Sequence, residues 1–423
     1  MTKKYLSFLL FLPFIWKSTF SQAMQYDPDL WLPDTIFMAL GNTIELYNNN
    51  VAFVRHNDNT LSFVWSFTKG ASDSEKYYWT TDQTGNFGVR VICKYNGLPV
   101  DTASTVVKVV DKIVLEDKNL LSVGNSLTEG GYKYQIPQIL NDLDFNINPI
   151  GTRGTTYKHE GYLGWRFRTF LTDLSPFYFD NRINFKKYLE TNNLPNPDII
   201  RISLGINDSF GTVPIDTIFK HASRLIDTLR NGYYNSLIII ALPTSCEGTG
   251  TGWTASYGDL TNYEPYQLRL RSLWKKLYNA YSYGKYYPNI QVSFDGLFID
   301  RVNGYPSDNG LHPNALGHSQ LIRGFSNSLN YYVKRAFTGI NDHEADENPF
   351  KLFPNPVHEN VEIVFDNELP EKVFLYNLTG QLVLSQEVND QRVQVNTSHL
   401  ASGLYICTIK LGSRNYSRII SKL

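Results

Sequence analysis

Short apolar runs separated by segments of helical period dominate the middle of the chain. The runs lie at 120–123, 145–150, 199–204, 237–242 and 290–294. Runs of this length predict buried strands. Apolar residues recur at helical spacing in segments between and after these runs, at 215–229, 268–281 and 315–337. Alternating strands and helices indicate an α/β fold, a parallel sheet with helices on both faces.

Both ends of the chain change to the two-residue period of β-strands. Before the central region, apolar and polar residues alternate at 36–46, 60–67, 87–95 and 104–110. This pattern predicts a small antiparallel β-sandwich, resembles immunoglobulin-like or PKD-like modules, and favours a spacer over a glycan-binding role. A second β-sandwich is predicted after a polar, acidic linker, with strands near 350–357, 373–380 and 400–406.

The chain has 423 residues, more than one hydrophobic core usually holds. Lys3 and Lys4 precede an apolar run at 5–16 and then small or polar residues, which is the pattern of a signal peptide. The run is too short to span a membrane, and no other segment is apolar and long enough. The predicted organisation is 1–21 signal peptide, 22–111 Ig-like β-sandwich, 112–338 α/β domain, 339–349 linker and 350–423 C-terminal β domain.

Composition narrows the possible functions. The formal net charge is −1 at pH 7, and no basic stripe is present to neutralise phosphates, which argues against nucleic-acid binding. Cys93, Cys246 and Cys407 fall in three different predicted regions, so no disulfide framework is evident and buried thiols are expected.

Two polar residues follow predicted strands, at the sheet edge where open α/β folds place their sites. Ser126 begins the turn after the first apolar run and can serve as a nucleophile, although a serine there is more often a helix cap. Asn207 lies in the polar turn that follows the run at 199–204 and can offer its amide to a developing oxyanion; the simpler interpretation is an Asn-Asp turn.

Two further segments add complementary chemistry. His312 directly precedes the long helix predicted at 315–337, and an imidazole near neutral pH suits a general base. The stretch 151–165 is rich in glycine, so the amide of Gly164 can approach a reacting group closely. A lone histidine before a helix is usually structural, and the conjunction of all four segments is what favours a catalytic site.

In this order the four segments resemble the blocks of the SGNH hydrolase family, also called GDSL-type esterases. Ser126, Gly164, Asn207 and His312 match one block each, and the resemblance covers roughly 112–337. It implies a three-layer, flavodoxin-like α/β/α fold and a serine esterase that needs no cofactor. It further implies an oxyanion hole formed by the amides of Ser126 and Gly164 and by the Asn207 side chain.

Two residues depart from the family pattern. Asn125 replaces the usual aspartate before the nucleophile. The acid that orients the histidine normally lies three residues before it, where this chain has Asn309, and Asp308 lies one residue further upstream. Asp308 could reach the imidazole through a longer turn, which is slightly favoured. Alternatively, Ser126 and His312 act as a dyad, with Asn309 as a neutral hydrogen-bond acceptor. Such an acceptor fixes the tautomer of the imidazole but does not stabilise the imidazolium by charge.

The segment 159–165 resembles the second block of bacterial carbohydrate esterases. Trp165, Trp253 and Tyr257, together with Tyr263, are therefore candidates for stacking on sugar rings, and an acetylated polysaccharide is the favoured substrate. A lipid or short-chain acyl ester is the enzymatic alternative, and a catalytically inactive glycan-binding surface protein is the other. No metal site is expected, since His159 with Glu160 and His312 with His318 lack a recognised ligand spacing.

The C-terminal module resembles the sorting domain of the type IX secretion system of Bacteroidetes. The resemblance rests on the Pro354-Asn355-Pro356 opening, a strand followed by a turn at Gly380, the Gly403-Leu404-Tyr405 strand and the basic residue Lys422. It implies recognition by the secretion machinery and export across the outer membrane. The mature protein would then be secreted or attached to the cell surface. The structural alternative is a substrate-binding β-sandwich.

Overall fold

The computed structural model describes residues 29–54, 60–233, 235–282, 289–337, 350–365, 371–377, 381–388, 390–411 and 414–422. The predicted signal peptide, 1–21, and the predicted linker, 339–349, lie outside the described residues.

The first β region forms two small sheets and one short helix. Its elements are β1 (Thr35–Ala39), β2 (Thr43–Tyr47), α1 (Asn48–Ala52), β3 (Leu61–Phe67), β4 (Ala71–Ser72), β5 (Lys76–Thr80), β6 (Gly85–Tyr95) and β7 (Leu98–Val110). One sheet has the order β1-β7-β6-β3 and the other β2-β5-β4. β1 pairs with β7 in parallel, so the prediction of a wholly antiparallel arrangement is wrong at this edge. The reason is a turn at Gly41, which sends β1 and β2 into different sheets.

The first β region packs directly on the central region. Phe37 stacks on Tyr331 with ring centroids 3.9 Å apart, and Phe53 meets Trp274 edge to face at 4.9 Å. Buried apolar residues of both regions belong to the same hydrophobic clusters. This continuous packing differs from the separate spacer that the sequence favours.

The central region contains one parallel sheet. Its strands are β8 (Lys118–Gly124), β9 (Ile147–Ile150), β10 (Glu160–Gly161), β13 (Ile199–Ser203), β14 (Leu237–Ala241) and β15 (Ile290–Ser293), and a small hairpin joins β11 (Tyr178–Phe179) to β12 (Arg182–Ile183). The order is β10-β8-β13-β14-β15, with β9 also paired to β8. All of these sheet pairings are parallel, which confirms the predicted α/β class.

Helices cover this sheet from opposite sides. They are α2 (Ser126–Asp142), α3 (Phe185–Thr191), α4 (Ile215–Gly232), α5 (Thr251–Tyr257), α6 (Tyr263–Tyr281) and α7 (Ala315–Phe337). Leu120 and Ile199 pack with residues of α2 and α7, whereas their neighbours Leu121 and Ile200 pack with residues of α4 and α6. Successive strand residues point to opposite faces, so each apolar strand fills two cores. Because β8 and β13 are parallel neighbours, their carboxyl ends lie side by side at the same edge of the sheet.

The strands described in the C-terminal region pair with one another in antiparallel fashion. These are β16 (Phe350–Phe353), β17 (Asn360–Phe365), β18 (Lys372–Asn377), β19 (Leu382–Glu387), β20 (Arg392–Asn396), β21 (Gly403–Leu411) and β22 (Arg414–Lys422). They form sheets of order β16-β17-β20 and β19-β18-β21-β22. Val361, Ile363, Val373 and Cys407 lie in a separate core. Cys93, Cys246 and Cys407 are buried, as expected from the sequence.

Candidate active site

Ser126 is the first residue of α2, directly beyond the end of β8. The side chain of Asn125 caps the helix by accepting a hydrogen bond from the Leu127 amide at 3.0 Å. A Cβ on Gly124 would lie 2.0 Å from the Thr128 Oγ1, so only glycine allows the strand to turn this tightly. The helix N-terminus carries a partial positive charge, which favours negative charge developing near Ser126.

His312 reaches Ser126 from a position 186 residues later in the chain. Its Nε2 lies 3.1 Å from the Ser126 Oγ, and its Nδ1 lies 3.2 Å from the Asn309 Oδ1. The amide oxygen of Asn309 only accepts hydrogen bonds, so the proton of a neutral imidazole lies on Nδ1 and Nε2 keeps its lone pair. In this tautomer His312 can accept the serine proton.

Asn309, rather than Asp308, contacts the imidazole. The Asn309 Oδ1 also accepts hydrogen bonds from the amides of Leu311 (3.0 Å) and His312 (2.9 Å), which turns its side chain inward. Asp308 is exposed, and within the described residues its carboxylate has no hydrogen bond or ion pair. The slight preference for Asp308 therefore does not hold in this geometry, because the tight turn at Asn309 leaves the preceding side chain in solvent.

The loop after β10 brings Gly164 toward the same edge. β10 pairs with the end of β8, and the Tyr162 amide donates to the Gly124 carbonyl at 3.1 Å. Gly164 lies at the turn that follows, with φ +76°, and an added Cβ would meet nothing within 4 Å. Its backbone is therefore exposed and takes a conformation that other residues rarely adopt.

Asn207 and Asp208 hold this loop from neighbouring positions. The Asn207 Nδ2 donates to the Trp165 carbonyl at 3.0 Å, and its second N–H has no acceptor among the described residues. The buried Asp208 carboxylate accepts from the Phe167 amide at 3.2 Å. Burial raises the pKa of Asp208 to about 7. The sequence indicates Asp208 only as part of an Asn-Asp turn and gives no sign of this contact.

Asp208→Asn is expected to become more stable relative to the wild type as pH rises. The folded-state pKa of Asp208 lies above the ordinary value of 3.8, so its contribution to stability is complete below that value and is lost as pH rises through about 7. The amide does not titrate. Melting temperatures at pH 5 and pH 8 measure the difference, with the exposed Asp308→Asn as the control. A difference between Asp208→Asn and wild type that is the same at both pH values would contradict the argument.

Glu160 is a buried carboxylate that organises the same loop, a role for which the sequence gives no sign. Its Oε1 accepts from the Thr152 hydroxyl at 2.7 Å and the Tyr188 hydroxyl at 2.6 Å, and its Oε2 accepts from the Tyr162 hydroxyl at 2.6 Å. Tyr162 in turn stacks on Trp165, with ring centroids 4.0 Å apart. These bonds compensate the burial of the charge and restrain the segment that carries Gly164.

The aromatic residues proposed to bind sugar differ in their exposure. Tyr257 is 46% exposed and Trp165 is half-buried. Trp253 is only 1% exposed and packs against Phe210 and Tyr266, so it cannot stack on a sugar ring. This part of the substrate-binding prediction is wrong, because α5 turns Trp253 into the core and presents Tyr257 one turn later.

No group of three or more potential metal ligands occurs among the residues that the structure describes. His159, one of the residues considered for a metal, is buried, and its Nδ1 accepts from the Gly161 amide at 3.0 Å. In the described ranges, no helix has the length and apolar character needed to cross a membrane.

Comparison with known families matches residues 351–422 to the model described as a secretion system C-terminal sorting domain. The match supports the interpretation of the C-terminal region and indicates export through a secretion system. A segment of 59 residues is 36% identical to an ulvan lyase of Nonlabens ulvanivorans and covers 14% of this chain. The chain thus spans only 11% of that relative's length.

Solved structures similar to this chain include carbohydrate esterases and a G-D-S-L lipolytic protein. A family 3 carbohydrate esterase from Talaromyces cellulolyticus is 16% identical, covers 52% of this chain and 99% of its own, and gives a TM-score of 0.33. A G-D-S-L lipolytic protein from Desulfitobacterium hafniense is 13% identical, covers 49% of this chain and 98% of its own, and also gives a TM-score of 0.33. A family two carbohydrate esterase from Clostridium thermocellum is 13% identical, covers 70% of this chain and 93% of its own, and gives a TM-score of 0.32.

Proposed function

We propose that the chain is a secreted serine esterase that acts through an acyl-enzyme on Ser126. The observation that carries this proposal is the 3.1 Å contact between the Ser126 Oγ and the His312 Nε2, with Nδ1 held by Asn309. A nucleophile in contact with a base that a third group orients is the arrangement required for nucleophilic catalysis.

In the proposed reaction the Ser126 Oγ attacks the ester carbonyl carbon while the His312 Nε2 takes its proton. The carbonyl oxygen becomes an oxyanion, which the amides of Ser126 and Gly164 and the free N–H of Asn207 would stabilise. The C–O bond to the alcohol then breaks, and His312 returns the proton to the leaving alcohol. Water, deprotonated by His312, attacks the acyl-enzyme and releases the acid, and the proton returns to Ser126.

The neutral acceptor at Asn309 gives this site a characteristic pH dependence. Burial lowers the pKa of His312 below its ordinary value of 6.5, and no charged group is among the causes of the shift. The imidazole must be neutral to accept the serine proton. Esterase activity is therefore proposed to persist below pH 6.5, and the acid limb of kcat/KM would report the pKa of His312.

Asn309→Asp is expected to move the acid limb of kcat/KM upward by about one pH unit. The carboxylate would accept the same hydrogen bonds and add a negative charge beside Nδ1, which stabilises the imidazolium and raises the pKa of His312. The measurement is the pH profile of 4-nitrophenyl acetate hydrolysis. Asp308→Asn is the matched control and is expected to leave the limb in place. A shift caused by Asp308→Asn instead would show that Asp308 is the orienting group.

An acetylated polysaccharide is the proposed substrate. The half-buried Trp165 and the exposed Tyr257 support it, because aromatic faces near a polar site suit sugar rings. Acetate release from acetylated xylan, pectin and chitin, compared with hydrolysis of 4-nitrophenyl decanoate, tests this choice. Faster cleavage of the decanoate would favour a lipid or acyl esterase. A wild type that hydrolyses none of these esters would leave the glycan-binding alternative.

The location proposed for this activity is the cell surface or the medium, reached through the type IX secretion machinery. The match of residues 351–422 to a sorting-domain model supports export. Type IX secretion, and with it the passage across the outer membrane, is part of this proposal. Deleting 350–423 is expected to keep the protein inside the cell envelope, as measured by immunoblotting of medium and cell fractions.

A further inference from the structure

The helix α1, which follows β2, contacts the stretch of the central region at 297–301. Asn50, in α1, is only 2% exposed. Its Nδ2 donates to the carbonyls of Ile299 at 2.6 Å and Leu297 at 3.2 Å, about 250 positions later in the chain. One amide group of the first β region therefore fixes the backbone that leads into Arg301.

Arg301 connects the same segment to a second loop. Its side chain is fully buried. Its Nη1 donates to the carbonyl of Asn49 at 2.8 Å, its Nε to the carbonyl of Cys246 at 2.7 Å, and its Nη2 to the Gln267 side chain at 2.7 Å and the Tyr263 hydroxyl at 3.1 Å. A buried guanidinium needs such acceptors, and the first β region supplies two of them, the Asn49 carbonyl and, at 3.4 Å, the Val54 carbonyl.

The loop held by Arg301 supports the turn that carries His312. The Gly248 amide donates to the Arg301 carbonyl at 2.7 Å, and the neighbouring Glu247 amide donates to the Gly310 carbonyl at 2.9 Å. A Cβ on Gly310 would lie 2.6 Å from the Trp253 Cα, so the two backbones are in direct contact. Gly310 lies between Asn309 and His312, and a displacement of this loop would move both.

We infer that the first β region positions the candidate histidine. The path runs from Asn50 and Asn49 through Arg301 and the loop at 246–253 to the turn at 309–312. This inference rests on the proposed function for its effect on catalysis. Asn50 and Arg301 are positioning residues, because neither contacts Ser126 or His312.

Asn50→Ala, compared with Asn48→Ala, tests this inference. Both asparagines lie in α1, are buried and use their side-chain amides in two hydrogen bonds. Asn48 bonds within the first β region, to the Ser74 carbonyl and the Trp65 Nε1, both at 2.8 Å. The two substitutions thus remove similar bonds from one helix, and only Asn50→Ala removes bonds to the central region.

Two measurements are made on the full chain, at a temperature well below the melting point of each variant. The first is hydrogen exchange by mass spectrometry in peptides that cover 246–253 and 308–313. Exchange there is expected to rise at least about threefold in Asn50→Ala and to stay at the wild-type rate in Asn48→Ala. The second is kcat and KM for 4-nitrophenyl acetate, where Asn50→Ala is expected to lose about tenfold in kcat with KM unchanged.

Wild-type exchange in both peptides of Asn50→Ala would overturn the inference, whatever the activity. Equal changes in the two variants would also overturn it, because they would reflect a general loss of stability. An inactive wild type would remove the proposed function and leave the exchange comparison to decide whether the first β region holds the turn. An active Asn50→Ala with wild-type kcat would overturn the effect on catalysis alone.

Discussion

Ser126→Ala is expected to lower kcat/KM for 4-nitrophenyl acetate by about 10⁴- to 10⁶-fold. The substitution removes the oxygen that would form the acyl-enzyme, and the His312 Nε2 then faces a methyl group instead of a hydroxyl 3.1 Å away. The melting temperature is expected to change little, because the side chain is small and only half-buried. Initial rates and thermal unfolding of the full chain measure both effects.

A double variant and a remote serine serve as controls for this result. His312→Ala added to Ser126→Ala is expected to cost little more than Ser126→Ala alone, because the two groups act as one unit. Ser272→Ala, which removes an exposed hydroxyl on α6 that donates to the Leu268 carbonyl, is expected to keep the wild-type rate. Equal hydrolysis by wild type and Ser126→Ala would remove the esterase proposal.

Asn207→Ala is expected to lower kcat by about 10²- to 10³-fold and to change KM little. The side chain has one N–H bonded to the Trp165 carbonyl and a second available to the proposed oxyanion. Because the charge on that oxygen exists only in the transition state, losing its donor affects turnover more than substrate binding. Steady-state kinetics on 4-nitrophenyl acetate measure kcat and KM separately.

The loss of the bond to Trp165 has to be separated from the loss of an oxyanion donor. Asn207→Asp keeps the size of the side chain, removes both N–H donors and places a negative charge beside the proposed oxyanion, so it is expected to be at least as slow as Asn207→Ala. Asp208→Asn keeps Asn207 and alters the other contact to the loop, with the Phe167 amide. A rate loss in Asp208→Asn as large as that in Asn207→Ala would indicate that loop position, not donation by Asn207, limits the reaction.

The central fold was predictable because its signals are local. Each buried strand is a short apolar run and each helix an apolar stripe, as at Ile199–Ser203 and Ile215–Gly232, so periodicity alone indicates the parallel sheet. The first β region was less predictable. Nothing in the alternation at 36–46 shows that β1 and β2 enter different sheets or that Phe37 packs on Tyr331.

The sequence by itself indicated candidate site residues: Ser126 and Asn207 follow strands and His312 precedes a helix that the pattern predicts, whereas Gly164 was indicated only by its glycine-rich segment. Tertiary structure decided how they are supported. Asn309 rather than Asp308 contacts the imidazole, and Trp253 is buried instead of lining the site. The physical reason is that hydrogen bonds and burial depend on residues far apart in the chain and on side-chain direction within a turn. Neither of these is encoded in a local pattern of apolar and polar positions.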